Sequence, residues 1–209
     1  MYEKVIKRLI DLIVSIIGLP FFCLIYIVVA PMIFFEDRGP VFYNGERIGR
    51  NGKIFKMHKF RSMKVNAPDI RMADGSTYNG EDDPRVTKIG RIIRESSIDE
   101  IPQLLNIFKG EMSFIGPRPD PPDWLNKYPD EFRGFLNARP GITGYSQAYY
   151  RNSDDSYEKI VHDCEYAKNI TFVNDFKILC KTIQTVIKHD NIYREDDNKT
   201  WEEKVNKRS

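Results

Sequence analysis

From Leu12 to Phe35 the chain runs for 24 residues without Asp, Glu, Lys, Arg or His. As one helix such a run is about 36 Å long, enough to cross a hydrocarbon core of roughly 30 Å. The averages hide it: 209 residues with 30% charge, a net charge of +2 and a mean hydropathy of −0.47 describe an ordinary soluble protein. They exclude a collagen-like, low-complexity or broadly disordered chain and a disulfide-rich secreted scaffold. The apolar run demands a membrane.

Three placements compete for it. Lys4, Lys7 and Arg8 would serve as the basic start of a signal peptide, but the apolar part is too long, and Pro31 follows the best small-residue cleavage site at Ala30. A straight transmembrane helix meets Pro20, which removes a ladder hydrogen bond near the middle. A re-entrant helix-break-helix would bend at Pro20 and leave on the side it entered. Its limbs, 12–19 and 21–35, are each too short to cross, and the carbonyls that Pro20 frees would need a partner such as Ser15. The residues alone leave kinked span and hairpin both open. The basic flank favours a cytoplasmic N-terminus.

Cys23, Cys164 and Cys180 are an odd set at unrelated spacings, which suits a reducing compartment. The sequons at Asn169 and Asn198 are discounted on the same ground. The chain divides into a membrane segment (1–38), a polar domain (39–188) and a polar, loose C-terminal tail (189–209). Within the domain, 41–43 and 54–60 flank Asn51-Gly52 and read as a β-hairpin. Residues 66–85 read as a solvated loop, and helices are expected over 85–95, 102–109, 156–168 and 172–188. The fold class is therefore α+β, mainly helical with a short β-hairpin. The last long helix carries Phe172, Phe176, Leu179, Ile183 and Val186 on one face, suited to a core or, given its lysines, to a membrane interface.

Chemistry concentrates in two places. Asp99 and Glu100 are adjacent carboxylates just before a helix start, with Arg94 upstream. A carboxylate can act as a covalent nucleophile or bind Mg²⁺. The bland alternative is a capping box formed by Ser97 and Glu100, which Pro102 weakens. The second place is basic: Lys56, His58, Lys59 and Arg61 on a strand, Lys88, Arg91 and Arg94 on a helix, Arg118 between prolines and Arg139 before Pro140-Gly141. Arginine in a rigid Pro context suits bidentate contact with phosphate oxygens. Nucleic acid is not an expected partner of a near-neutral, membrane-attached chain. Gly45–Lys53 lacks P-loop spacing, His162 and Cys164 lack a second zinc pair, and 74–83 lacks EF-hand spacing.

Five blocks in order form a recognisable series: Lys53-Ile54-Phe55-Lys56-Met57-His58-Lys59-Phe60-Arg61, Asp83-Pro84-Arg85, Asp99-Glu100-Ile101-Pro102-Gln103, Met112-Ser113-Phe114-Ile115-Gly116-Pro117-Arg118-Pro119 and Arg139-Pro140-Gly141-Ile142-Thr143-Gly144. With the Pro-broken apolar segment, the chain resembles the bacterial sugar transferases, the monotopic phosphoglycosyl transferases, in their minimal catalytic form. The resemblance implies transfer of a sugar 1-phosphate from a UDP-sugar to undecaprenyl phosphate with release of UMP, initiating lipid-linked glycan assembly. It implies a ping-pong course through an aspartyl phosphosugar on Asp99, with Glu100 as ligand of a Mg²⁺ cofactor. Lys59, Arg94 and Arg118 would contact phosphate, Asp163 would support the site, and Arg139 and Arg151 are further candidates. The family resolves the membrane segment as re-entrant at Pro20, at the cytoplasmic face of the bacterial inner membrane, with membrane lipid and downstream glycosyltransferases as partners. The alternative is a catalytically silent scaffold that binds prenyl phosphate or a partner enzyme. One departure stands out: where the family tends to read Gln-Val-x-Gly-Arg, this chain has Gln147-Ala148-Tyr149-Tyr150-Arg151. The sequence identifies neither the sugar nor the role of Tyr149-Tyr150.

Overall fold

The computed structural model describes residues 1–150, 155–188 and 198–206. After a π-helical turn at Tyr2–Ile6, helix α1 runs from Lys7–Asp37 as one continuous helix. Pro20 and Pro31 both lie inside it, so the described chain shows no helix-break-helix. Ser15 gives its hydroxyl to the carbonyl of Leu12 (2.9 Å), not to the carbonyl of Ile16 that Pro20 leaves without its usual donor. Arg38, at φ 56°, stops the helix.

Both ends of α1 are fastened to the rest of the molecule. Near its start Lys7 pairs with Asp175, Arg8 donates to the carbonyls of Ile107 and Phe108, and Asp11 accepts from Ser113 Oγ and Phe114 N at 3.1 Å. At its far end Asp37 forms a two-pronged pair with Arg61 at 2.6 Å per contact. Between them Phe22, Val29 and Ile33 pack against Phe60 and Ile93. The opposite side, including Ile13, Ile17, Phe21, Leu24, Ile27 and Val28, is exposed.

The expected hairpin forms. Strands β1 (Phe42–Ile48) and β2 (Ile54–Phe60) pair antiparallel, with Asn51 at φ 58° and Gly52 at φ 74° in the turn. Helix α2 (Lys88–Glu95) begins at Thr87, whose hydroxyl accepts from Gly90 N, while the Glu36 carboxylate accepts from Lys88 N at 2.7 Å. A 3-10 turn at Ile98–Gln103 carries the two carboxylates into helix α3 (Leu104–Lys109), which ends at Gly110, φ 85°.

A second, parallel pair was not foreseen: β3 (Ser113–Ile115) lies beside β4 (Gly141–Thr143). Their approach is close enough that a Cβ on Gly116 would meet the Arg139 carbonyl at 2.2 Å, so only glycine fits there. Helix α4 (Tyr145–Tyr149) follows, then α5 (Ser156–Lys168) and α6 (Phe172–Lys188), both at their expected bounds.

Three expectations change. The 66–85 segment is not a solvated loop throughout: Asp74 and Asp83 are buried, held by Lys204 and Arg85. The C-terminal stretch is not uniformly loose, because helix α7 (Trp201–Asn206) seats Trp201 edge-on against Trp124, with ring centroids 5.2 Å apart. For the α6 stripe, of the two placements left open the core is the one excluded: Phe172, Val173, Phe176, Leu179, Ile183 and Ile187 are exposed, and only Ile178 on that helix is a buried apolar residue.

Candidate active site

The 3-10 turn exists because Pro102 cannot donate to a regular helical ladder and Ser97 sits at φ 58°. Ser97 makes no side-chain cap, so the capping box does not form. Glu100 is drawn elsewhere: its Oε1 accepts from Lys59 Nζ at 2.7 Å and from Arg118 Nη2 at 3.0 Å. Lys59 arrives from β2 and Arg118 from the Pro-boxed segment after β3. Asp99, 8% exposed, accepts no hydrogen bond from any described residue.

The two carboxyls differ as their surroundings dictate. Burial raises Asp99 most; Lys59 opposes it, the Glu100 charge adds to it, and the carboxyl stands at about 6. Burial also acts on Glu100, but Lys59 and Arg118 outweigh it and hold that carboxyl well below its usual range.

Both carboxylates open onto a cavity of about 590 Å³, within the size range of small-molecule sites. Five cations, Arg47, Lys59, Arg94, Arg118 and Lys159, line it against three carboxylates, Asp99, Glu100 and Asp120. Arg94 keeps a buried Nη1 with no hydrogen-bond partner among the described residues. The surplus of positive charge suits a diphosphate. Hydroxyl and amide side chains line a neutral part of the same wall, among them Thr143, Ser146, Gln147 and Thr182.

Asp163 stands behind this wall, buried, with Oδ2 3.6 Å from Lys159 Nζ. Lys159 also pairs with Asp120 at 2.7 Å and donates to the Arg118 carbonyl at 3.4 Å. Burial raises the Asp163 carboxyl to about 7, with Lys159 opposing. The structure thus assembles Lys59, Arg94, Asp99, Glu100 and Arg118 in one cavity, with Asp163 in support. Arg139 is not among the lining residues; its Nε donates to the Gly110 carbonyl at 3.2 Å, beside the start of α1. Arg151 lies outside the described residues. Arg47, Asp120 and Lys159 escaped the sequence reading, although Lys159 and Asp163 stand four apart on one helix face, a visible pairing signal.

Of the other basic residues, Arg61 is committed to Asp37, and His58 Nδ1 lies 2.7 Å from Asn44 Oδ1. Lys88 and Arg91 are exposed. Tyr150, which replaces the expected Gly, has φ −122°, so the backbone makes no demand for glycine there.

An apolar helix, a carboxylate pair and a cationic cavity together match a known class. The bacterial sugar transferase family model matches residues 2–189, and the chain belongs to that family. It is 37% identical over 208 residues to the undecaprenyl-phosphate galactose phosphotransferase of Salmonella typhimurium, covering 91% of this chain and 42% of that protein. Over 188 residues it is 36% identical to the UDP-N-acetylgalactosamine-undecaprenyl-phosphate N-acetylgalactosaminephosphotransferase of Aeromonas hydrophila, covering 87% and 44%. The uncharacterized sugar transferase EpsL of Bacillus subtilis is 38% identical over 188 residues, with 90% of each chain covered. The chain spans under half the length of the first two relatives and most of the third.

Proposed function

We propose that this chain is a phosphoglycosyl transferase that moves a sugar 1-phosphate from a UDP-sugar to undecaprenyl phosphate and releases UMP, so initiating lipid-linked glycan assembly. The observation that carries the reading is the unequal pair: Glu100 is clamped by Lys59 and Arg118, while the neighbouring Asp99 carboxylate accepts no hydrogen bond among the described residues. A free carboxylate among phosphate-binding cations is a nucleophile in waiting. Asp99 Oδ attacks the sugar-bearing phosphorus, the bond to the bridging oxygen breaks, and UMP departs with that electron pair. The prenyl phosphate oxygen then attacks the same phosphorus, and the acyl-phosphate bond breaks to restore Asp99. Arg47, Lys59, Arg94 and Arg118 hold the charge that builds on the phosphoryl oxygens. The presence together of Asp99, Glu100, Lys59 and Arg118 argues against the silent scaffold.

Mg²⁺ fits the donor set. Glu100 gives only Oε1 to the two cations, which leaves Oε2 for a metal. A hard cation held by one or two carboxylates and the substrate phosphates is the usual Mg²⁺ arrangement. When bound, Mg²⁺ offsets diphosphate charge and stabilises departing UMP.

Monotopic attachment is supported by the fastening of both ends of α1 to one domain, through Asp175 and Arg61, and the cytoplasmic face by the basic flank at Lys4, Lys7 and Arg8. A helix held polar-end to polar-end on the same domain has no end to spare for the far side of a bilayer. The exposed face of α6 extends the apolar surface beside it, with Phe172 edge-on to Tyr2 at 6.1 Å. The re-entrant bend at Pro20 belongs to this proposal, as the shape α1 takes in lipid. Downstream glycosyltransferases would take the lipid-linked product.

The test mixes the protein in membranes with Mg²⁺, undecaprenyl phosphate and a panel of UDP-sugars, and measures UMP. Release with at least one donor is expected, together with a trappable phosphosugar adduct that Asp99→Asn abolishes. No UMP with any donor from folded protein would sink the transfer; an adduct that survives Asp99→Asn would reject the nucleophile.

A further inference from the structure

The cationic part of the cavity accounts for phosphate and leaves the neutral wall without a task. On that wall Gln147 is singular. Its Nε2 and Oε1 are both buried, and neither has a hydrogen-bond partner among the described residues. Its neighbours are satisfied: Thr143 Oγ1 and Thr182 Oγ1 lie 2.8 Å apart, Thr182 also donates to the Ile178 carbonyl, and Thr185 donates to the Ala148 carbonyl at 2.7 Å. Gly144 keeps room for the amide, since a Cβ there would come within 2.9 Å of Gln147 Oε1. A buried carboxamide with no partner at either atom costs stability, and such a cost is retained where a ligand supplies the partners.

The chemistry of the amide narrows that ligand. It carries no charge, so beside five cations it is a minor contributor to phosphate binding. It presents two donors and an acceptor in one plane, which matches adjacent hydroxyls on a sugar ring. We propose that Gln147 is the donor-recognition residue of this site, its carboxamide hydrogen-bonding hydroxyls of the sugar carried by the nucleotide. The assignment rests on the transfer reading above and adds to it the wall that discriminates one sugar from another. A site built to hydrogen-bond a hydroxyl rejects analogues that misplace it, because its own polar atoms are then stranded again.

Gln147→Met keeps the volume and removes both hydrogen-bonding atoms. With the full chain in lipid, Mg²⁺ and undecaprenyl phosphate, KM and kcat are measured for UDP-glucose, UDP-galactose and their N-acetylated counterparts. Inhibition by UMP and the thermal midpoint are read alongside. The expected result is a KM raised roughly tenfold or more for the preferred donor. Discrimination between the epimers should collapse, UMP inhibition should stay unchanged, and the thermal midpoint should hold or rise. Unchanged donor selectivity would overturn the assignment. So would an equal loss of UMP inhibition, which moves the contact to the nucleotide, or a fallen midpoint with kcat lost and KM intact, which makes the residue structural. Should the Met variant not fold, Gln147→Glu, which keeps acceptors and loses donors, must show the same KM shift. Failure of the unaltered protein to turn over any donor would sink the transfer reading and this assignment together; turnover with unaltered selectivity in the variant sinks the assignment alone.

Discussion

Asp99 and Glu100 share a peptide bond and almost nothing else. One is buried with no hydrogen bond to it among the described residues, the other is gripped by two cations, and the first therefore titrates far above the second. Turnover should accordingly fall on the acid side as the pair takes up a proton near pH 6, and a pH profile of kcat/KM checks it. Stability should run the other way. Because the folded-state value of Asp99 exceeds its unfolded one, the native state binds more protons between about pH 4 and 6, and stability declines as pH rises through that window. Asp99→Asn removes the decline, so the variant should be inactive yet at least as stable as the parent at pH 7–8 in thermal melts. Lys59→Ala leaves Glu100 with Arg118 alone, and a loss of roughly 10²-fold in kcat is expected. At this scale the sequence was legible where residue type and neighbours declare a task, as in Asp99-Glu100 and Pro-boxed Arg118. Arg139 has the same local look as Arg118, and only the tertiary path separates them: one reaches the cavity, the other the Gly110 carbonyl.

Elements with a full period were legible. Helices α5 and α6 and the hairpin fall where periodicity and Asn51-Gly52 put them. The parallel pair was not, because three-residue strands carry no repeat and Ser113 meets Gly141 only through the fold. Periodicity also identified the α6 apolar face without saying what it faces, since core and lipid reward the same stripe. With that face exposed, replacing Phe172 and Phe176 together by Glu should weaken retention on anionic vesicles, measured by flotation, and leave the thermal midpoint within a few degrees. If the pair were structural, the midpoint would fall with the retention.

For the whole molecule, the fastening of both α1 ends predicts that cysteines introduced at Tyr2 and Arg38 both escape a membrane-impermeant label applied from outside intact cells. Labelling of one alone would restore a spanning helix. The far end of the chain carries weight of its own: Trp201→Ala should cost about 3–5 kcal/mol in denaturant unfolding, because the ring fills a cluster with Trp124, Tyr128 and Ile160. Composition concealed this, as one tryptophan in a charged stretch gives no period to read.

The fastening of α1 has a consequence in time. Helix α1 is synthesised before its partners at Phe60, Ile93, Ser113 and Asp175. At about 5–20 residues per second, the 168 positions between Lys7 and Asp175 take roughly 10–30 s to synthesise. Throughout that interval the most apolar surface of the protein exists without the domain that will clasp it. Until then something other than its own domain must shield the apolar run, and closure of the domain onto the helix is a late event.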